Sequence, residues 1–453
     1  MYRDTDDNRA FTGDLLASPP PRSDAQPSVT RPRSLADTGL GELYVADLIS
    51  KHLFERGVLD LQEVTRLVAL PGNLVEDSFA LLRQHGRAEV RGSAGSGLLR
   101  FGLTERGRAA AQEALGRDGY VGPAPVPLEQ YNATVARQAM NSHGIDRAAV
   151  HAAFADVMIR PEVLDQLGPA MYSGRAVLIY GDAGTGKTYI ARRLARLLSG
   201  SVLVPHAVLV ADKAVRCFDG GVHEPVESGG NEASLFLGRG HDPRYVLCKR
   251  PVVVVGGELT MDMLEVQYDS ATRIHHAPAQ LRANNGMLLI DDLGRQRMRP
   301  EELFNRWIVP MEERRDFLTL SSGQHFEVPF EVALVFSSNQ HPRELADQAF
   351  LRRIGYKIHF EPLNRADYLA LWEVECERQG LTGEDGAWGG FVVDHLHRPR
   401  HVPLLPCHPR DLIGLATDRL RYMGQDSLTE EALRWAWQNY FVEPDNAGKE
   451  LSS

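Results

Sequence analysis

The sequence has little of what a secreted, membrane-spanning or nucleic-acid-coating protein needs. Its four cysteines, Cys217, Cys248, Cys376 and Cys407, are widely spaced and form no CxxC pair. Neither a disulfide framework nor a zinc ribbon is expected, and a reducing compartment suits the chain. No apolar run approaches the roughly 18 residues that span a bilayer; the longest, Val252 to Val255 and Met287 to Ile290, are strand-sized. The opening MYRDTDDNRAF carries three aspartates before any apolar stretch, the reverse of a secretory leader, which points to the cytoplasm and away from a membrane. Positive charge is not in excess either. With 60 acidic against 50 basic side chains the formal charge is -10, so the whole chain lacks the field that non-specific nucleic-acid binding draws on.

What is present is 453 residues of ordinary globular composition, 43% hydrophobic and 24% charged, enough for about three folded units. Residues 1–40 include ASPPPRSDAQPSVTRPRS, too poor in apolar surface to offset the entropy of ordering it, and read as a disordered tail. Residues 41–118 change character. Val45, Leu48, Ile49 and Leu53, then Leu61, Val64 and Val68, then Val75, Phe79 and Leu82 fall at helical spacing. Leu99, Phe101 and Leu103 then alternate after the turn GSAGSG, and Thr104 is placed to cap a last helix. Three helices and a two-stranded wing resemble a winged-helix domain. The third helix begins NLVEDSF, which sets Glu76 and Asp77 where DNA phosphates would lie, and residues 41–118 hold 10 basic against 11 acidic side chains. That balance favours docking to protein over DNA. VGPAPVP within residues 119–127 reads as a semi-rigid linker.

The strongest signal is AVLIYGDAGTGKTYIARRLARLL. Ala176 to Tyr180 is strand-sized, Gly181 to Thr188 reads G-x-x-x-x-G-K-T, and Ile190, Ala191, Leu194, Leu197 and Leu198 continue at helical spacing to Gly200. Gly181, Asp182, Ala183, Gly184, Thr185, Gly186, Lys187 and Thr188 thus form a loop whose backbone N–H groups converge on phosphate oxygens, aided by the positive end of the following helix. Lys187 brings a charge to the β- and γ-phosphates, and the Thr188 hydroxyl is a ligand for Mg2+. In MLLIDDLG, Met287 to Ile290 reads as a buried strand ending in Asp291, placed to hold Mg2+, and Asp292, placed as a general base.

Together these residues resemble the AAA+ ATPases, over about Leu128 to Val442. The resemblance implies an α/β P-loop NTPase fold, a three-layer parallel sheet in residues 128–360, with a helical lid in residues 361–443 and a flexible tail in 444–453. It implies that Asn339, after the strand Val332 to Phe336, contacts the γ-phosphate as sensor 1. Arg353 is the expected arginine finger acting on a neighbouring subunit, with Arg352 able to share or take the role, and Arg410 is the expected sensor 2. ATP, Mg2+ and a ring, commonly a hexamer, follow from the family. The hairpin expected in DFLTLSSGQHFEVPF, before the sensor 1 strand, resembles the MoxR and magnesium-chelatase branch. Asp292 stands where most relatives carry Glu.

The separation of 104 residues between Lys187 and Asp291 implies β insertions, one strand of which joins the central sheet. Met261 to Tyr268 is a candidate pore segment or else a packing helix. Asn364 and Thr429 read as N-caps of lid helices whose Trp372, Leu433, Trp435 and Trp437 are core or packing surface. His395, His397, His401, Cys407 and His408 match no familiar zinc spacing. The function expected is that of a cytoplasmic ATPase remodelling or helping to assemble a partner protein. The alternatives are a DNA-acting helicase loader or transcription regulator, and a slow nucleotide-gated switch.

Overall fold

The computed structural model describes residues 29–93, 99–139, 145–226, 241–381 and 386–441. At its centre is a five-stranded sheet of β1 (Val177–Tyr180), β2 (Val252–Val255), β3 (Met287–Ile290), β4 (Ala333–Ser338) and β5 (Tyr356–His359), in the order β2-β3-β4-β1-β5. Every pairing is parallel, so all the loops that follow the strands leave from one edge. The strands are continuous apolar runs because both faces are covered. Leu178, Leu288, Ile290, Leu334 and Phe336 pack on Leu303, Phe304 and Trp307 of the helix Pro300–Glu313. On the other face Val177, Ile179, Met287, Leu289 and Val335 meet Leu164, Leu167, Ile190 and Leu194. Successive residues alternate between these two clusters, which fixes the register.

Of the insertion strands, Val252–Val255 alone joins this sheet, at its edge beside β3. The hairpin Ala207–Val210/Lys213–Arg216 instead enters a second five-stranded sheet with Val126–Pro127, Ile274–His276 and Gln267–Asp269. The expected hairpin before β4 forms from Arg315–Thr319 and His325–Pro329. Its Leu318, Leu320, Phe326 and Val328 are buried with Val126, Val208 and Val215 of the second sheet, so it is a packed element and not a free arm. The helix after the phosphate loop is shorter than its periodicity suggested. It is α-helical over Lys187–Arg193 and tightens to 3₁₀ over Leu194–Leu197, a common way for a helix to end.

Two boundaries are corrected by packing. Residues 29–40 do not belong to a tail: Val29 and Leu40 are buried, and Ser34 and Asp37 close a capping box on the short helix Leu35–Thr38. Residues 1–28 lie outside the described residues. Residues 119–127 do not form a spacer, since Tyr120, Ala124 and Val126 are buried and the Ala124 N–H donates to the Val68 carbonyl at 2.7 Å. The segment is apolar enough to fill a seam, and prolines within it simply keep it extended. Across that seam lies Arg244, fully buried with Asp242 at 2.7 Å. Its guanidinium also donates to the carbonyls of Thr38 and Pro125, at 2.9 and 3.2 Å, and to the Gln130 side chain at 3.1 Å.

The N-terminal unit comprises the helices Glu42–Arg56, Leu61–Val68 and Gly72–Gln84, the strands Ala88–Ser93 and Leu99–Leu103, and the helix Glu105–Arg117. Thr104 caps the last, accepting from the Gly107 N–H at 3.1 Å; residues 94–98 of the expected turn lie outside the described residues. The C-terminal unit holds the helices Arg365–Arg378, Cys407–Tyr422 and Glu430–Tyr440 around Tyr368, Trp372, Leu412, Leu433 and Trp437. Asn364 and Thr429 cap as expected, accepting from the N–H groups of Asp367 and Ala432. His397 and His408 are buried beside Trp437 and Phe441 as part of this core, and no metal-holding cluster occurs among the described residues. No helix of the described residues is long and apolar enough to cross a membrane.

Candidate functional site

The parallel sheet delivers three loops to one edge. Ser338 pairs in register with Tyr180, and Ile290 with Phe336, so the residues just beyond β1, β3 and β4 are neighbours. Gly181 leaves β1 with φ of 145° and passes so near β5 that an added Cβ would lie 2.2 Å from the Phe360 carbonyl oxygen. Gly184, at φ of 89°, is pressed against the lid: its carbonyl accepts from the Cys407 N–H at 3.3 Å, and a Cβ there would meet the Cys407 sulfur at 2.5 Å. Both positions exclude larger residues, which is why the loop is glycine-rich.

Within the loop Lys187 is 5% exposed, and its ammonium donates to the Asp182 carbonyl at 2.7 Å. Burial lowers its pKa, opposed by the charges of Asp292, Asp182 and Asp291. The Thr188 hydroxyl donates to Asp291 Oδ1 at 2.8 Å, bringing two oxygens from distant segments together. Asp292 is turned into the left-handed region, φ 51°, where Asp and Asn sit more readily than most residues. This gives a local reason for Asp at this position. Asn339 lies beside it, its side-chain amide donating to Asp292 Oδ1 at 3.2 Å.

These groups open into a cleft of about 860 Å³ between the sheet edge and the lid, within the range of small-molecule sites. Ala183 to Thr188, Asp292, Asn339 and Arg410 all line it. Away from the phosphate loop its wall turns apolar, with Val157, Met158, Ile159, Leu371 and Val374. Sequence reasoning missed this wall, and it missed Arg160, Arg295, Glu375 and Arg378, which also line the cleft. Helical spacing of Glu375 and Arg378 was the one signal available for them.

The arginines expected to reach nucleotide are otherwise engaged. Arg410 lines the cleft, yet its guanidinium lies 2.8 Å from Asp411, its neighbour in sequence. Arg353 does not face the cleft. It pairs with Glu312 of its own chain at 2.5 Å and donates to the Ala349 carbonyl at 2.8 Å, because the helix Pro300–Glu313 ends beside it. Arg352 is the exposed member of the pair. Met261 to Tyr268 is neither a free loop nor an amphipathic helix: after a 3₁₀ turn with Leu264 fully buried, it enters the edge strand Gln267–Asp269 of the second sheet.

A family described as "Domain of unknown function (DUF8689)" matches residues 364–439, the helical unit that forms one wall of the cleft. No curated protein matches the sequence. Among solved structures, NtrX from Brucella abortus is 14% identical over 63% of this chain and 56% of that one, with a TM-score of 0.37. The chain therefore aligns with little more than half of NtrX. The RuvB Holliday junction branch migration motor of Thermotoga maritima is 13% identical over 63% of this chain and 70% of its own, with a TM-score of 0.36. At overlaps this partial, assignment rests on the residues of this chain.

Proposed function

We propose that the protein is an AAA+ type ATPase that binds ATP with Mg2+ in the cleft and hydrolyses it. The observation that carries this reading is the meeting of Thr188 and Asp291 at 2.8 Å beside the phosphate loop, with Asp292 and Asn339 on the same cleft wall. A hydroxyl and a carboxylate are the hard oxygen donors magnesium takes, and such sites leave the remaining positions to water and phosphate. Thr188 and Asp291 would hold the ion, which when bound offsets phosphate charge. Lys187 supplies the fixed cation for the β- and γ-phosphates. Asp292 accepts the proton of the attacking water, and Asn339 holds that carboxylate and the water in line. The apolar wall from Val157 to Ile159 suits the base.

We further read the protein as a cytoplasmic ring oligomer of the MoxR and magnesium-chelatase branch that remodels or assembles a partner protein through its winged-helix unit. The exposure of Arg352 supports it, and not Arg353, as the finger toward a neighbour. The outward residues of the helix Gly72–Gln84 include Glu76 and Asp77, and Asn73 at its start donates to the Arg33 carbonyl at 3.2 Å. Acidity and a covered end support protein over DNA as the partner. Calorimetry with ATP and magnesium, followed by steady-state phosphate release, tests the core of this reading. Saturable one-site binding with turnover is expected, and folded protein that takes up no adenine nucleotide would end it.

A further inference from the structure

Resting on that nucleotide reading, we propose that Arg295 is a catalytic residue acting in cis: its guanidinium contacts the terminal phosphate bound in the same subunit. Four arginines line the cleft: Arg160, Arg295, Arg378 and Arg410. Three are paired with an acid of their own chain, Arg160 with Glu361, Arg378 with Glu375 and Arg410 with Asp411. The side chain of Arg295 has no ion pair or hydrogen bond among the described residues, and it is exposed to the cleft. An unpaired, exposed arginine on the loop that follows two carboxylates is a guanidinium available for an incoming anion.

The loop that carries Arg295 is built to hold it there. The Leu293 N–H donates to the Ser337 carbonyl and the Ser338 hydroxyl to the Leu293 carbonyl, both at 2.7 Å, stitching the loop to β4. The Gln296 amide donates to the Asp291 and Asp292 carbonyls at 2.9 and 3.2 Å and accepts from the Gly294 N–H at 2.8 Å. The Arg295 N–H itself donates to the Asp292 carbonyl at 3.0 Å. Gly294 has φ of 102°, and a Cβ there would come within 2.7 Å of Gln340. The backbone under Arg295 is thus fixed to the same turn as Asp292 and to the strand of Asn339. That keeps Arg295 on the same cleft-lining turn as Asp292, where the proposed general base meets the terminal phosphate. The charge balance agrees: a triphosphate flanked by Asp291 and Asp292 needs more positive charge than Lys187 and one divalent ion provide.

The test compares affinities for ADP and for the non-hydrolysable analogue AMPPNP, both with magnesium, in the full-length chain. Arg295→Ala is expected to weaken AMPPNP at least about tenfold while ADP changes less than about twofold, and to lower kcat about 100-fold. Arg295→Lys restores part of both, and Arg297→Ala, a nearby exposed arginine off the cleft wall, leaves both unchanged. Mixing Arg295→Ala with Lys187→Ala subunits is expected to recover no turnover, because both defects lie in each subunit's own site. An unchanged AMPPNP-to-ADP ratio, an equal loss for both ligands, or recovery in the mixture overturns the cis contact while leaving the nucleotide site standing. Failure of the wild type to bind either ligand overturns both readings together.

Discussion

The two walls of the cleft are built differently. On the sheet edge, polar groups from distant segments face one another: Thr188 meets Asp291 and Asn339 meets Asp292, at 2.8 and 3.2 Å. On the lid, Arg410 and Arg378 fold back on Asp411 and Glu375. Strand register places Asp291 and Asn339, each one step beyond its strand, and the first turn of the helix Lys187–Arg193 carries Thr188 to Asp291. Long side chains on helices set the second, each reaching a carboxylate one or three residues away on its own helix. The sheet edge is therefore preorganised, whereas the helical wall is held by side-chain pairs of exposed arginines that an incoming anion would have to displace.

The largest expected effect lies on the preorganised side. Lys187→Ala should weaken ATP binding at least about 100-fold, because a buried, charge-assisted contact is removed with no substitute nearby. Near-normal affinity by calorimetry would mean that the edge does not anchor the phosphates. Next, Asp292→Asn should cut phosphate release by about 100- to 10,000-fold while ATP affinity stays within a few-fold, as loss of a general base does. If affinity collapsed along with turnover, Asp292 would be serving the metal instead.

The lid predictions are smaller. Asp411→Asn frees Arg410 and should tighten ATP about two- to fivefold, the size of an exposed ion pair, whereas a weaker affinity would show that Asp411 itself meets the ligand. The lid core also carries a pH dependence. Burial holds the pKa values of His397 and His408 down at about 4, against an ordinary value of 6.5. As pH falls below 6.5 the unfolded chain takes up these protons while the folded lid does not, so stability drops toward pH 4 and gains nothing above 6.5. Melting followed by tryptophan fluorescence should show this through Trp372 and Trp437, and a flat melting temperature between pH 7 and 5 would contradict it.

What the sequence made legible follows the same divide. Met287–Ile290 coincides with its observed strand, and the loop Gly181 to Thr188, Asp291, Asp292 and Asn339 converge, because apolar runs and glycine patterns are local properties that a sequence displays directly. The pairing of Arg353 with Glu312, 41 residues away, is not legible in the sequence, because no spacing rule reports such a pair. Arg295 carries no signal in the sequence, because what distinguishes it is a side chain without ion pair or hydrogen bond among the described residues, a property of the folded chain alone. The segments 29–40 and 119–127 have the composition of tail and linker, yet a few apolar residues, Leu40, Tyr120, Ala124 and Val126, suffice to anchor them to the core.

The seam around Arg244 has a practical consequence for dissecting the molecule. Cutting after Pro127 to isolate a shorter fragment around the central sheet would take away the Thr38 and Pro125 carbonyls that this guanidinium uses and the strand Val126–Pro127 from the edge of the second sheet. A formerly sealed charge would then open onto solvent beside a raw β-edge, an invitation to aggregate. Anyone trimming this chain should begin no later than Val29, and should treat the N-terminal unit and the two sheets as a single casting.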